Sequence, residues 1–371
     1  MNVPKLRFKE FNDEWSTIEL SKISSEISYG MGLPSKKYDG INKYIRITDI
    51  DENTSKYTNK DIVSPDGELE DKYIVKKNDI LFARTGASTG KTYLYDKKDG
   101  KLYYAGFLIK ANIVNHDANF IFQQTHTSKY NKWIKVMSMR SGQPGINSQE
   151  YGSYKFSITS KTEEYKISKT LQLLDKKIEL QTKKIEDLKL FKLSKYSSVF
   201  SKSNNKIKLS DICIIEKGKQ INSDLLIEKG NYYMLNGGIL PSGYLNEYNT
   251  NENTITISEG GNSCGYVNFN KTKFWCGGHC YKIISSSVNS SYLYHLLKYN
   301  EKIIMDLRVG SGLPNIQKKD LEALKLSIHK NDEQLKIGIL FDTFDKKINL
   351  ETNKLNKFKE LKKALMQVMF V

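Results

Sequence analysis

The feature that most constrains this chain is that its second half repeats its first. Asp175-Lys176-Lys177-Ile178 returns as Asp345-Lys346-Lys347-Ile348, and Lys166-Ile167 returns at the same offset as Lys336-Ile337. Upstream, SGQPGIN from Ser141 matches SGLPNIQ from Ser311, and FSI from Phe156 matches LSI from Leu326. Earlier still, NDILFARTGASTGK from Asn78 aligns with NTITISEGGNSCGY from Asn253, setting Gly86 against Gly261 and Gly90 against Gly265. The weakest match is at the start, where Glu19-Leu20-Ser21-Lys22-Ile23 answers to Lys208-Leu209-Ser210-Asp211-Ile212, followed by Tyr29-Gly30 and Lys217-Gly218. A chain of 371 residues is long enough for two ordinary domains, and the repeat says that they follow one plan.

Each half ends in a long charged segment with helical periodicity. Leu171, Leu174, Ile178, Gln181, Ile185 and Leu188 alternate at steps of three and four, and so do Phe341, Phe344, Ile348, Glu351, Leu355 and Phe358. This is a heptad seam, and it predicts two helices of about 35 residues, roughly 50 Å long, that bury their stripes against each other. The intervening globular part leaves enough chain for the second helix to return antiparallel, with Gln181 and Glu351 as polar interruptions that fix the register. The other packing open to an amphipathic helix is on its own domain. Strand, glycine turn and strand are read for Asn78 onward and for Asn253 onward.

Lysine and arginine number 58 against 42 aspartates and glutamates, a formal net charge of +16. Each phosphate that a cation neutralises releases a condensed counterion, so nucleic acid is the natural partner. The apolar runs fall far short of a membrane span and the start lacks the apolar core of a signal peptide, so a cytoplasmic protein is expected. Four cysteines in a chain of this length make no disulfide framework and are read as free, buried thiols.

Several motifs invite chemistry, and each also has a simpler role. Gly86-Ala-Ser-Thr-Gly90-Lys91-Thr92 follows a strand as a phosphate-binding loop would, but it has three residues between the glycines where that loop has four. In the second copy Tyr266 stands in place of Lys91. The loop is read instead as a tight turn, either structural alone or bringing Arg84, Thr85, Ser88 and Lys91 close to a DNA phosphate or base edge. Cys276-Gly-Gly-His279-Cys280, with Cys264 upstream, offers metal-ligand types without a second pair at zinc-finger spacing, and the matching Tyr104-Ala-Gly-Phe-Leu108 has no ligand, so no metal is expected. No nucleophile elbow, paired acid cluster, adenine-binding Asp/Asn-Pro-Pro-Tyr/Phe string or cofactor loop is seen, and the chain is read as non-catalytic.

Pro4-Lys5-Leu6-Arg7-Phe8-Lys9-Glu10-Phe11 with Glu14-Trp15 and Leu20, Asn331-Asp332-Glu333-Gln334 with Ile337 and Asp345 to Ile348, and the ending Lys363 to Phe370 resemble the specificity subunits of type I restriction-modification systems. The first helix opens with Thr162-Glu163-Glu164 where that family often has a Glu-Gln pair. The resemblance implies an α+β protein in which two mixed, strand-rich target recognition domains are separated by two long antiparallel helices in a coiled coil, as a pseudo-twofold internal repeat. Each domain would read one half of a bipartite asymmetric DNA site, and the helices would set the gap. It also implies two methyltransferase (modification) subunits and two restriction (endonuclease and translocase) subunits as partners. Those partners, not this chain, would bind S-adenosylmethionine, ATP and Mg.

The expected boundaries are 1–158 for the first recognition domain, 159–200 for the central helix and 201–205 for a linker, then 206–329 for the second domain and 330–371 for the C-terminal helix. DNA-contact candidates are Arg46, Arg84, Thr85, Ser88, Lys91 and Arg140 in the first domain, and Lys217, Lys219, Gln220 and Arg308 in the second. Two rival readings stay open at this point: a nucleotide-binding enzyme using the Gly86 loop, and a structural adaptor using the helices.

Overall fold

A computed structural model of the protein describes residues 3–203, 205–310, 312 and 314–371. Ser311 and Leu313 of the second SGLPNIQ copy, and Asn204 of the linker, lie outside the described residues. The chain divides into two compact units, 1–180 with 355–371, and 181–354.

In the first unit, strands β1 (Ser24–Tyr29), β2 (Asp79–Ala83), β3 (Thr92–Leu94) and β4 (Leu108–Ile113) form a sheet in the order β1-β4-β2-β3. All five residues of β2 are buried, as expected of a central strand. In the second unit, β5 (Cys213–Lys217), β6 (Thr254–Ser258), β7 (Val267–Asn270) and β8 (Cys280–Ser286) repeat that topology as β5-β8-β6-β7. Each unit also has one short parallel pair, Lys43–Ile45 with Leu102–Tyr104 and Tyr232–Leu235 with Trp275–Cys276. An antiparallel pair closes each globular part, Ser16–Glu19 with Lys155–Ile158 and Asn205–Lys208 with Lys325–Ile328. The repeat seen in the sequence is thus a repeat of strand order.

Helix α1 spans Lys161–Phe200 and helix α2 spans Asn331–Met369, 40 and 39 residues, several longer than the periodicity predicted. Neither contains proline, and both begin with acidic residues, Glu163 and Glu164 or Asp332 and Glu333, which favour a helix N-terminus. In the first unit, Ile167 and Leu171 of α1 and Met366, Met369 and Phe370 at the other chain end join one core with Trp15 and Phe120. Phe370 lies 5.3 Å from the Phe120 ring, and Lys362 pairs with Asp175 at 2.6 Å. Arg7 clamps Glu163 with two bonds of 2.7 and 2.8 Å, fixing the N-terminal segment to the start of α1.

In the second unit, Tyr196 and Phe200 of α1 pack on Phe341 of α2, with ring centroids 4.3 and 5.6 Å from that of Phe341. Tyr196 also shares a hydrogen bond of 2.8 Å with the buried His295, whose other ring nitrogen faces Asp342 at 3.2 Å. Gln181 donates to the carboxylate of Glu351 at 2.6 Å and to its backbone carbonyl at 2.9 Å, while Lys184 completes the cluster at 2.6 Å. Further along, Lys192 meets Asp345, so rising numbers on α1 meet falling numbers on α2 and the pairing is antiparallel. Along the seam Leu171, Leu174, Gln181, Ile185, Phe341 and Leu355 are buried, and Ile178, Leu188, Phe344, Ile348, Glu351 and Phe358 are half-buried.

The polar pair makes a signed prediction. Gln181→Leu alone leaves Glu351 short of two donated bonds and should cost about 1 to 3 kcal/mol. Replacing both Gln181 and Glu351 by leucine should recover most of that loss, because an apolar pair of similar size needs no compensation. Urea midpoints of the two single variants and the double variant check this; equal losses in all three would refute it.

Candidate nucleic-acid interface

The candidate surface in each unit is built where the sheet strands end in glycine turns. After β2 the chain turns through Gly86–Ser88, with Gly86 at φ +68° and Gly90 at φ +91°. The second unit has Gly261 at +77° and Gly265 at +88° in the same places. These are left-handed conformations that a side chain resists, so all four glycines are required by the backbone itself. The Gly90 N–H closes the turn on the Ala83 carbonyl at 3.0 Å, and the Gly265 N–H closes its own on Ser258 at 2.8 Å.

A second segment lies on each turn. Gly86 donates to the Pro144 carbonyl at 2.9 Å and Gly261 to Pro314 at 3.1 Å. Thr85 bridges Gly145, and Gly260 bridges Asn315. The backbone N–H groups of Gly86, Thr89, Gly90 and Lys91 are all taken up by carbonyls, so this turn does not aim a nest of donors at an anion as a phosphate-binding loop does.

A close approach of backbones sets the other side of the surface. A Cβ on Gly30 would lie 2.3 Å from the Ala105 carbonyl oxygen, and one on Gly218 would lie 2.2 Å from that of Gly277. Gly30 and Gly218 donate to the Leu108 and Cys280 carbonyls, locking the ends of β1 and β5 beside the starts of β4 and β8. Across β4 and β8, the Arg84 N–H binds the Phe107 carbonyl at 3.0 Å and the Glu259 N–H binds His279 at 2.9 Å. The ends of three strands therefore meet at one node in each unit.

The candidates read from sequence fall into two groups. Arg84, Thr85, Ser88 and Lys91 share the first turn, with Arg84 over the Tyr29 ring at 4.9 Å and Lys91 3.6 Å from Glu52. Lys217 pairs with Glu259 at the second node at 2.6 Å, and Lys219 and Gln220 follow after Gly218, where the Lys219 carbonyl accepts from the Trp275 indole. Arg308 is exposed, and its neighbour Val309 pairs with Asn315, which bridges the second turn. Two candidates are committed within the fold. Arg46 forks onto Asp49 with two bonds of 2.8 Å, and Arg140 is held by Glu150 and by the Met137 carbonyl.

Tyr29, Phe107 and Gln143 in the first unit, and Asn236, Glu259 and His279 in the second, belong to the same surface and are not among the DNA-contact candidates read from the sequence. The alignment of the two glycine turns carried the signal for one of them, because it sets Glu259 against Arg84. All four cysteines are free and buried, and among the described residues no group of three or more His, Cys, Asp and Glu could hold a metal. No helix among them is long and apolar enough to cross a membrane.

The close approach predicts a contrast between neighbouring glycines. Gly30→Ala forces a carbonyl to move and should cost about 1 to 3 kcal/mol, as overpacking does, and Gly218→Ala should behave alike. Gly32→Ala, whose Cβ would meet nothing within 4 Å, should stay within about 0.5 kcal/mol of the parent. Thermal unfolding of the three variants distinguishes them.

The comparisons with known proteins agree with this duplicated plan. The type I restriction modification DNA specificity domain matches residues 12–190 and again residues 202–360. The chain is 34% identical over 144 residues to a putative type I specificity subunit of Mycoplasma pneumoniae, 38% of each chain. It is 31% identical over 138 residues to a putative type I specificity subunit of Mycoplasma genitalium, 36% of each. The alignments thus span little more than a third of these curated relatives. The crystal structure of a type I restriction-modification S subunit from M. genitalium covers the whole of this chain and 99% of its own, with a TM-score of 0.71 at 19% identity. A chain from a structure of type I R-M complex assembly and conformational transition covers 96% of this chain and 97% of its own at a TM-score of 0.56 and 16% identity. At those identities the two structures share the fold alone. Two successive matches to one domain, on two units with one strand order, place this chain in the family of type I restriction-modification DNA specificity proteins.

Proposed function

We propose that this chain is a non-catalytic DNA-specificity subunit in which each strand-rich part reads one half of a bipartite, asymmetric DNA site. The observation that carries this reading is a repeated backbone with divergent side chains. The same turns and the same close approaches hold Arg84 with Tyr29 in one unit and Glu259 with Lys217 in the other. A scaffold kept constant while its tip residues change suits two readers of unlike base sequence, since base edges in the major groove differ in donors and acceptors. The net charge of +16 supports the sequence-independent part of binding.

The paired helices α1 and α2 set the length of the unread gap and offer the surface on which methyltransferase subunits dock. Two modification and two restriction subunits, in the cytoplasm, would complete the complex and carry S-adenosylmethionine, ATP and Mg. This chain supplies the address.

The test is to express the chain with its modification subunit and map adenine methylation across a host genome at single-base resolution. A split, asymmetric motif with one methylated adenine on each strand is expected. An intact, DNA-bound complex that yields no new motif would favour the adaptor reading instead. Inserting seven residues into both helices near Gln181 and Glu351 should widen the gap in that motif by about 3 base pairs, since seven helical residues rise roughly 10 Å.

A further inference from the structure

The two nodes differ in a specific way. In the first unit the cation, Arg84, stands at the end of β2, and its guanidinium lies over the ring of Tyr29 at the end of β1. In the second unit the positions are exchanged. Glu259 stands where Arg84 does, after β6, and the cation is Lys217 at the end of β5, in the place of Tyr29. Each pair reaches across the first residue of the strand between them, β4 or β8.

In both units the cation is held rather than free. The Arg84 guanidinium lies against the Tyr29 ring and donates to the Gly106 carbonyl at 3.4 Å, and the Tyr29 hydroxyl is itself anchored by the Ser148 N–H at 3.0 Å. Glu259 has a side chain only 12% exposed and holds the 52% exposed Lys217 at 2.6 Å. Its Oε1 also accepts from the Tyr281 hydroxyl at 3.2 Å, while its buried Oε2 has no hydrogen-bond partner among the described residues. That oxygen lies 3.7 Å from the exposed His279 Nδ1, so the carboxylate sits between the lysine that it orients and the histidine.

The carboxylate also bears on what Lys217 can bind. A phosphate brought to Lys217 would be repelled by Glu259 with its full negative charge, whereas a neutral base edge, with only partial charges on its acceptors, would be repelled far less. Guanine shows two acceptors, N7 and O6, in the major groove, and side chains that only donate, arginine and lysine, match that edge. On the reading that these units recognise DNA, we propose that each node holds one preset donor for a guanine. Arg84 reads it in one half-site and Lys217, positioned by Glu259, reads it in the other.

The experiment uses the complex of the full chain with its modification subunit. The parent motif must contain a guanine in each half; a half-site with none overturns the inference. Arg84→Ala should relax that guanine in one half only, and Lys217→Ala and Glu259→Gln should relax it only in the other, each leaving the opposite half as an internal control. Methylation lowered evenly at all sites with every base still required makes these cations phosphate contacts and overturns the proposal. Should a variant lose both half-sites by failing to fold, the parent complex decides. Replacing the guanine with 7-deazaguanine in a duplex should weaken its binding by roughly tenfold, and unchanged binding overturns the proposal. Absence of any split motif from the parent complex would instead remove the specificity reading on which this inference rests.

Discussion

The pairing of α1 with α2 is the interaction on which the rest of the structure depends. A helix of 40 residues with an apolar stripe gains little from its own backbone, because most helical stability in a protein comes from burying that stripe. The stripe here serves two cores. Ile167 and Leu171 belong to that of the first unit, and Tyr196 and Phe200 to that of the second. The partner helix does the same in reverse order, with Phe341 in the second unit and Met366 and Met369 in the first. Removing either helix would open both cores.

Polar contacts then choose one register among the several that a leucine and phenylalanine seam would tolerate. In the second unit Gln181 meets Glu351 and Lys192 meets Asp345, and in the first Lys362 meets Asp175; a shift by one heptad would separate each pair. Measured against an apolar pair of similar size, none of these pairs adds much to stability. Their effect is on which alignment of the two helices is unique.

At the strand ends the constraint is steric. Glycines at positive φ and at carbonyl contact leave the turns one conformation, and the side chains around them inherit that rigidity. Arg46 and Arg140, which looked available in the sequence, are tied to Asp49 and Glu150; Lys217 is paired with Glu259, and Arg84 has the Tyr29 ring and the Gly106 carbonyl as partners. A net charge of +16 therefore says little about which cations can meet DNA; the local partners decide it.

Much of the architecture was legible from the amino acids alone. The repeat, the heptad seam, the glycine turns and the resemblance at the chain's ends and helix starts all lie in local patterns, because helical periodicity and turn chemistry link residues only a few positions apart. The sequence by itself determined two units of one plan, the two long helices and the absence of any recognisable catalytic motif. Only the tertiary structure decided which distant residues meet. Arg84 reaches Tyr29, and Lys217 reaches Glu259, because the sheet order sets the ends of non-consecutive strands on either side of a third. Such pairings arise from strand order and twist, which no spacing of residues along the chain records, so the exchange of charge between the two nodes emerges only once the sheets are formed.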